Sequence, residues 1–310
     1  MTTRPDRYYR DSGAVPLKGT MLMLFGGIGA ACAVSFAYAA LARFNPYIFI
    51  NAFGVIGFGC AVGFIINRCA RWGAVRNRKF LTIVGLALAA LAVYFSWMWY
   101  IFLLMDWNPN AIILEPWIMW QVLQQIAANG LWSMGAFAPR GWQLYGFWLL
   151  EAGIVFLSTV LVARGSTIPY CEACARWTTP VQRKLRLQLC GTDELREELE
   201  AENYQVLDSL AAAELNPNDH YEVDVYRCDQ CSDSNFLGIT RVQVSMKDGS
   251  PNTNRNNLIQ HIVVPNELVQ HLDQAAAAQA QKEAESLKST GTVDIAAIAA
   301  AASKAAEPKA

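Results

Sequence analysis

Two pairs of thiols, Cys171-Glu-Ala-Cys174 and Cys228-Asp-Gln-Cys231, have the residue type and spacing that could do chemistry. Two residues between cysteines let both sulfurs of one turn face the same ion, and two such turns complete a tetrahedral site with metal–sulfur distances of about 2.3 Å. Structural zinc is the expected ion. Iron in the same four-sulfur set, and thiols that cycle redox or bind nothing, are the alternatives. Haem attachment requires a histidine after the pair, where Ala175 and Ser232 stand. Four thiolates leave no open coordination position, so such a zinc is not catalytic. Because binding energy in such sites is largely folding energy, the domain is expected to depend on its metal. The other four cysteines read differently. Cys32, Cys60 and Cys69 lie in or beside apolar runs, where a thiol is a small hydrophobe, and Cys190 stands alone as a structural or incidental residue.

Glu151 is the second group of interest, a lone carboxylate inside an apolar run from Gly141 to Ala163. At mid-bilayer a charged side chain costs roughly 2.5–3.5 kcal/mol on insertion scales, so this one is expected to face other helices or to carry a proton. Two roles stay open: a hydrogen bond that fastens the helices, or a place on the path of a proton, ion or substrate. Gln143, Glu151 and Ser158 share one stripe of the helix, and Ser35, Tyr94 and Ser96 lie at matching depth as candidate partners. His220, His261 and His271 form no His-x-x-x-His pair, and no nucleophile elbow, P-loop or glycine-rich dinucleotide fingerprint follows residue 165. No catalytic or organic-cofactor residue is therefore nominated, which weighs against an enzyme without settling it.

The elements that must position these groups are unevenly distributed. Up to Gly165 there are twelve Lys and Arg against five Asp and Glu; after it, 13 against 21. Basic residues beside apolar runs suit the cytoplasmic face of a membrane, whereas the acidic second half offers no footprint for nucleic acid. Uncharged runs at Gly19–Ala42, Phe44–Asn67, Phe80–Met105 and Gly141–Ala163 each exceed the roughly 20 residues that cross a bilayer. Ala37-Tyr38-Ala39 has the form of a cleavage site, but the first run is too long for a signal peptide, whose apolar region has about 7–15 residues. Between the second and third runs stand Arg68, Arg71, Arg76, Arg78 and Lys79 with no acid among them, a cytoplasmic loop by the positive-inside rule. Gly54, Gly57, Gly59 and Gly63 allow close packing of the second helix, expected against the Gly26-Gly27 region of the first. The Trp-rich stretch from Asp106 to Gly141 is expected to place a helix, opened by Pro116 and ended by Asn129-Gly130, along the outer leaflet. A re-entrant hairpin is the other reading of that stretch.

After the fourth run, alternation at Leu185, Leu187 and Leu189, at Tyr221, Val223 and Val225, and over Phe236–Met246 and Leu258–Val264 predicts strands. Charged helices are predicted from Gly191-Thr192-Asp193 to Glu202 and from Tyr204 to Leu215, with a final one opening at Pro265.

The four cysteines together with the strand entering Cys228 resemble a zinc ribbon over residues 171–231, and at most to residue 264. The 53 residues between the two pairs exceed what compact ribbons hold, so a strand and two helices would form an insertion.

The fold class expected is an α-helical membrane protein: four transmembrane helices, then a small α+β zinc-ribbon-like cytoplasmic domain and a low-complexity tail. Residues 1–18 form a cytoplasmic N-terminal segment and 19–164 the membrane domain, with an outer helix over about 113–129. Residues 166–272 form the metal-binding domain and 273–310 an Ala-rich flexible tail. The expected function is an inner-membrane anchor or scaffold, both termini cytoplasmic, whose domain docks a protein partner in a homo- or hetero-oligomer. A small transporter or channel using Glu151 is the alternative, and an enzyme acting on a lipid or quinone-like substrate the third.

Overall fold

The computed structural model describes residues 7–45, 47–133, 138–165, 168–180, 185–212, 216–231, 233–247, 250–282 and 284–285. The chain divides into two units, Asp11–Thr167 and a second made of Met1–Arg10 with Ile168–Ala310.

The first unit is helical: α1 (Leu17–Phe44), α2 (Ile48–Trp72), α3 (Arg78–Leu104), α4 (Pro116–Asn129) and α5 (Trp142–Arg164). The long helices follow from uninterrupted apolar sequence, and polar residues set their ends. Asn45 closes the α1–α2 turn by donating to Asn51 Oδ1 at 2.9 Å, and Asn77 Oδ1 accepts from the Phe80 N–H at 2.9 Å to cap α3. Pro116 opens α4 at its first turn, as its fixed φ and missing N–H favour. Around the bundle the neighbours run α1, α2, α5, α3 and back to α1.

Small residues fill the inside. Gly19, Met23, Gly27, Ala31, Ser35 and Ala39 make a stripe at steps of four along α1, and Gly85, Ala89, Ala92 and Ser96 line α3. Large apolar side chains face outward instead, Phe25, Phe49, Phe53 and Leu149 being 74–78% exposed. Of the α2 glycines, Gly54 faces Leu41 and Tyr38 of α1 and Gly57 has no neighbour within 4 Å, while Gly59 and Gly63 pack against α5 and not against the Gly26-Gly27 region. A Cβ on Gly59 would meet Val155 and Ser158, and one on Gly63 would meet Thr159 and Val162, all on α5. In the Gly26-Gly27 region of α1, Gly27 faces Leu88 of α3, whereas Gly26 faces Cys69 near the end of α2. Residues 11–14 close the unit: the Arg76 N–H donates to the Ala14 carbonyl at 2.9 Å, and Asp11 pairs with Arg78 at 3.2 Å.

The second unit carries β1 (Tyr170–Cys171), β2 (Arg176–Trp177), β3 (Thr179–Pro180), β4 (Leu185–Leu187), α6 (Thr192–Glu200), α7 (Gln205–Ala212), β5 (Asp219–Arg227), β6 (Asn235–Lys247) and β7 (Ser250–Val264). A last helix, α8, runs over 266–282. β1 and β2 form a small hairpin; β3 and β4 both pair with β5, which continues to β6 and β7, all antiparallel. One face of the larger sheet, with Leu187, Tyr221, Val223, Leu237, Ile239 and Ile262, packs on Leu195, Leu199, Leu207, Val269 and Leu272 of the helices. None of the four paired cysteines belongs to this core.

Two boundaries differ from those expected. α8 continues past residue 272, because Ala276 is buried in the same core. The N-terminal segment divides between the units. Tyr8 bridges to Ile262 at the β7 edge, the Tyr9 N–H donates to the His261 carbonyl at 2.9 Å, and the Tyr8 hydroxyl donates to Glu200 Oε1 at 2.7 Å. His261 has φ +55°, beside register shifts that mark a bulge in β7. The expected tail beyond residue 285, the strand start at Lys184, the helix end at 213–215 and Ser232 lie outside the described residues.

Candidate metal centre

Each thiol pair sits at the turn of a hairpin. β1 delivers Cys171 into a turn that returns through β2, and the pair is closed by Tyr170 against Trp177, edge to face with centroids 5.0 Å apart. β5 delivers Cys228 into a turn that returns through β6, and the Cys228 N–H donates to the Ser234 carbonyl at 3.2 Å. The long insertion between the pairs builds β3, β4, α6, α7 and β5, so residues distant in sequence converge.

The Sγ atoms of Cys171, Cys174, Cys228 and Cys231 lie within 4.8 Å of one another, and Cys171 and Cys231 approach to 3.6 Å. A tetrahedron with sulfurs about 2.3 Å from its centre has edges of about 3.8 Å, so the four atoms are arranged as an ion requires. An all-sulfur donor set at this separation suits a soft or borderline ion, zinc or iron. Cys171 and Cys228 are buried and the other two half-buried.

Surrounding groups hold the turns. The Cys174 N–H points at Cys171 Sγ at 3.4 Å, Thr178 donates through N–H and hydroxyl to the Pro169 carbonyl, and Thr179 Oγ1 donates to Asp229 Oδ2 at 2.7 Å. Ala175 closes the first turn with φ +50°, a conformation in which a side chain is strained. Without an ion the thiols compete for protons. Cys231 is pulled down to about 7, first by the Asp233 backbone N–H and then by its thiol neighbours, whereas hydrogen bonding to Cys231 pushes Cys174 up to about 12. Cys190 lies apart at the α6 N-terminus, where its backbone carbonyl accepts from the Tyr221 hydroxyl at 2.9 Å.

Glu151 is placed inside the helical unit, and its partner is Tyr38 of α1, whose hydroxyl donates to Oε1. None of the three partners expected from depth fills that role. Ser35 Oγ donates to the Ala92 carbonyl, the Tyr94 hydroxyl to the Ile113 carbonyl and Ser96 Oγ to the Val93 carbonyl. Nor does the stripe on α5 form a network, since Ser158 Oγ bonds back to Ile154 of its own helix. Tyr38 is one turn beyond Ser35 on the same face of α1, and that spacing was the signal that could have found it.

Compared with protein-family models, curated proteins and solved structures, the chain has no match in any of the three.

Proposed function

We propose that this chain is an integral membrane anchor whose Cys171, Cys174, Cys228 and Cys231 hold one structural zinc ion in a cytoplasmic domain that docks a protein partner. The observation that carries the reading is the path of the chain. Residues 7–9 and the stretch from Ile168 onward build one unit, and four helices long and apolar enough to cross a membrane lie between them in sequence. A chain that leaves a polar unit, crosses hydrocarbon and rejoins it must cross an even number of times, which puts both ends on one side. The basic α2–α3 loop supports the cytoplasmic face as that side, by the positive-inside rule, and an inner membrane is the reading that goes with it. Small residues inside and large apolar ones outside favour lipid around α1, α2, α3 and α5, because helices in hydrocarbon associate by close packing and not by expelling water.

A closed four-thiolate site supports a structural role for the ion. The docking role is supported by β6 and β7, which pair with each other beyond the start of β5, at Ser245 with Asn252 and at Met246 with Pro251. This polar ribbon offers exposed strand edges, to which a partner can add.

Affinity purification of the full chain in mild detergent tests the proposal. A partner in stoichiometric amount is the expected result; a wild-type chain that purifies alone would contradict the docking role.

A further inference from the structure

Glu151 sits where the four long helices meet, and none of them supplies a cation at its depth. No Lys, Arg or His occurs in residues 19–42, 44–67, 80–105 or 141–163. Tyr38 reaches the carboxyl across the bundle and is held in place by stacking on Phe58 of α2, with ring centroids 4.7 Å apart. The carboxyl also lines an internal cavity of about 10 Å³ together with Ser96 and Trp97 of α3 and Trp148 of α5, the two indoles meeting edge to face at 4.7 Å. Space of that order admits one water molecule and nothing larger. A cavity of this size has no room for a metabolite or a hydrated metal ion.

A carboxylate in an apolar interior without a basic partner meets its charge by taking up a proton. We propose that Glu151 and Tyr38 form a proton-binding site of the helix bundle, with one water in the cavity, positioned by Ser96, as the carboxyl's proton-exchange partner. In the ionised state the Tyr38 hydroxyl donates to the carboxylate. Uptake of one proton makes the carboxylic acid, whose own O–H then donates to the cavity water while Tyr38 stays a phenol. Ser96 Oγ donates its hydrogen bond to the Val93 carbonyl, so its lone pairs are left to accept from that water. The role of Ser96 is to position the water. The inference does not involve the cysteine site, but it rests on the reading that the helices lie in a membrane.

The test uses the full chain in vesicles and the apolar probe dicyclohexylcarbodiimide, which adds to protonated carboxyls buried in hydrocarbon and leaves an N-acylurea. Modification of the peptide containing Glu151 is followed by mass from roughly pH 6 to pH 9, a range that buried glutamates titrate in. At least severalfold less labelling at the alkaline end than at the acid end is expected, because only the protonated carboxyl reacts. Glu151→Gln should take no label, and Ser96→Val should slow deuterium exchange of the acid, read from its carbonyl stretch, with the fold retained. Labelling that is absent throughout, or equal at every pH, would overturn the proposal and leave a fixed hydrogen bond. Retention of the chain in alkaline-washed membranes is measured alongside; a chain that washes off contradicts membrane insertion itself, and this inference falls with it.

Discussion

Cys171 and Cys228 are the buried members of the thiol cluster, so replacing either leaves three of its four sulfurs. Cys171→Ser and Cys228→Ser should each reduce bound metal from about one ion per chain to near none. The structural consequence is more local than the spacing of the cysteines suggested. The larger sheet packs its own apolar core without them, whereas β1 and β2 are two residues each and lie outside that core. Hydrogen exchange in either variant should therefore speed up at 170–178 and 228–235 and stay slow in the centre of β5 and β6. Cys190→Ser, outside the cluster, should change stability by no more than about 0.5 kcal/mol. Ala175→Gly should keep the metal and raise the thermal midpoint, since an L-residue in the left-handed region costs roughly 1–2 kcal/mol. The four ligands were legible because Cys-x-x-Cys carries its own geometry. The partner of Glu151 was not, because depth along a helix is shared by several side chains and only packing selects Tyr38.

At the scale of elements, α2 packs closely on α5 through two glycines. Gly59→Val and Gly63→Val would force a side chain onto α5, where the first Cβ meets Ser158 Oγ at 2.0 Å and the second meets the Thr159 carbonyl at 2.5 Å. Overpacking of this kind costs about 1–3 kcal/mol or more, and it should appear as a lowered melting midpoint in detergent. Gly57→Ala, with nothing within 4 Å, should be silent or slightly stabilising. The N-terminal strap makes a different prediction. Tyr8→Phe removes the hydrogen bond to Glu200 and should destabilise the sheet unit by about 1 kcal/mol. Burial, and then the bond to Glu200, raise the Tyr8 hydroxyl from 10.0 to about 12. A phenol whose folded value is raised contributes fully below the unfolded value and loses that contribution as pH climbs from 10.0 to about 12. The gap between wild type and Tyr8→Phe should close across that window. Long apolar runs made the helices readable, and alternation made β5 and most of β6 readable. Residues 250–257 of β7 are polar and exposed on both sides, so they carry no alternation, and the three-residue strap is too short to show a period.

For the whole molecule, the account requires both ends of the chain on one side of a bilayer and the segment after α3 on the other. Single cysteines introduced at Asn110 and at Asn252 should separate the two sides: an impermeant maleimide added to intact cells should modify the first and spare the second. Labelling at Asn252 alone would invert the topology. The broad plan, apolar helices followed by a sheet with a cysteine cluster, was legible because hydrophobic run length and thiol spacing are one-dimensional signals. The return of residues 7–9 to the sheet unit was not, being a contact over some 250 residues of chain that no local pattern encodes. The central claim is that this membrane-anchored chain closes a four-thiolate metal site, and X-ray absorption at the zinc edge on the full protein, extracted from alkaline-washed membranes, tests it most directly. About one zinc per chain, with four sulfurs at about 2.3 Å, is the result predicted. A folded, metal-free chain, or an ion bound by nitrogen and oxygen, would contradict it.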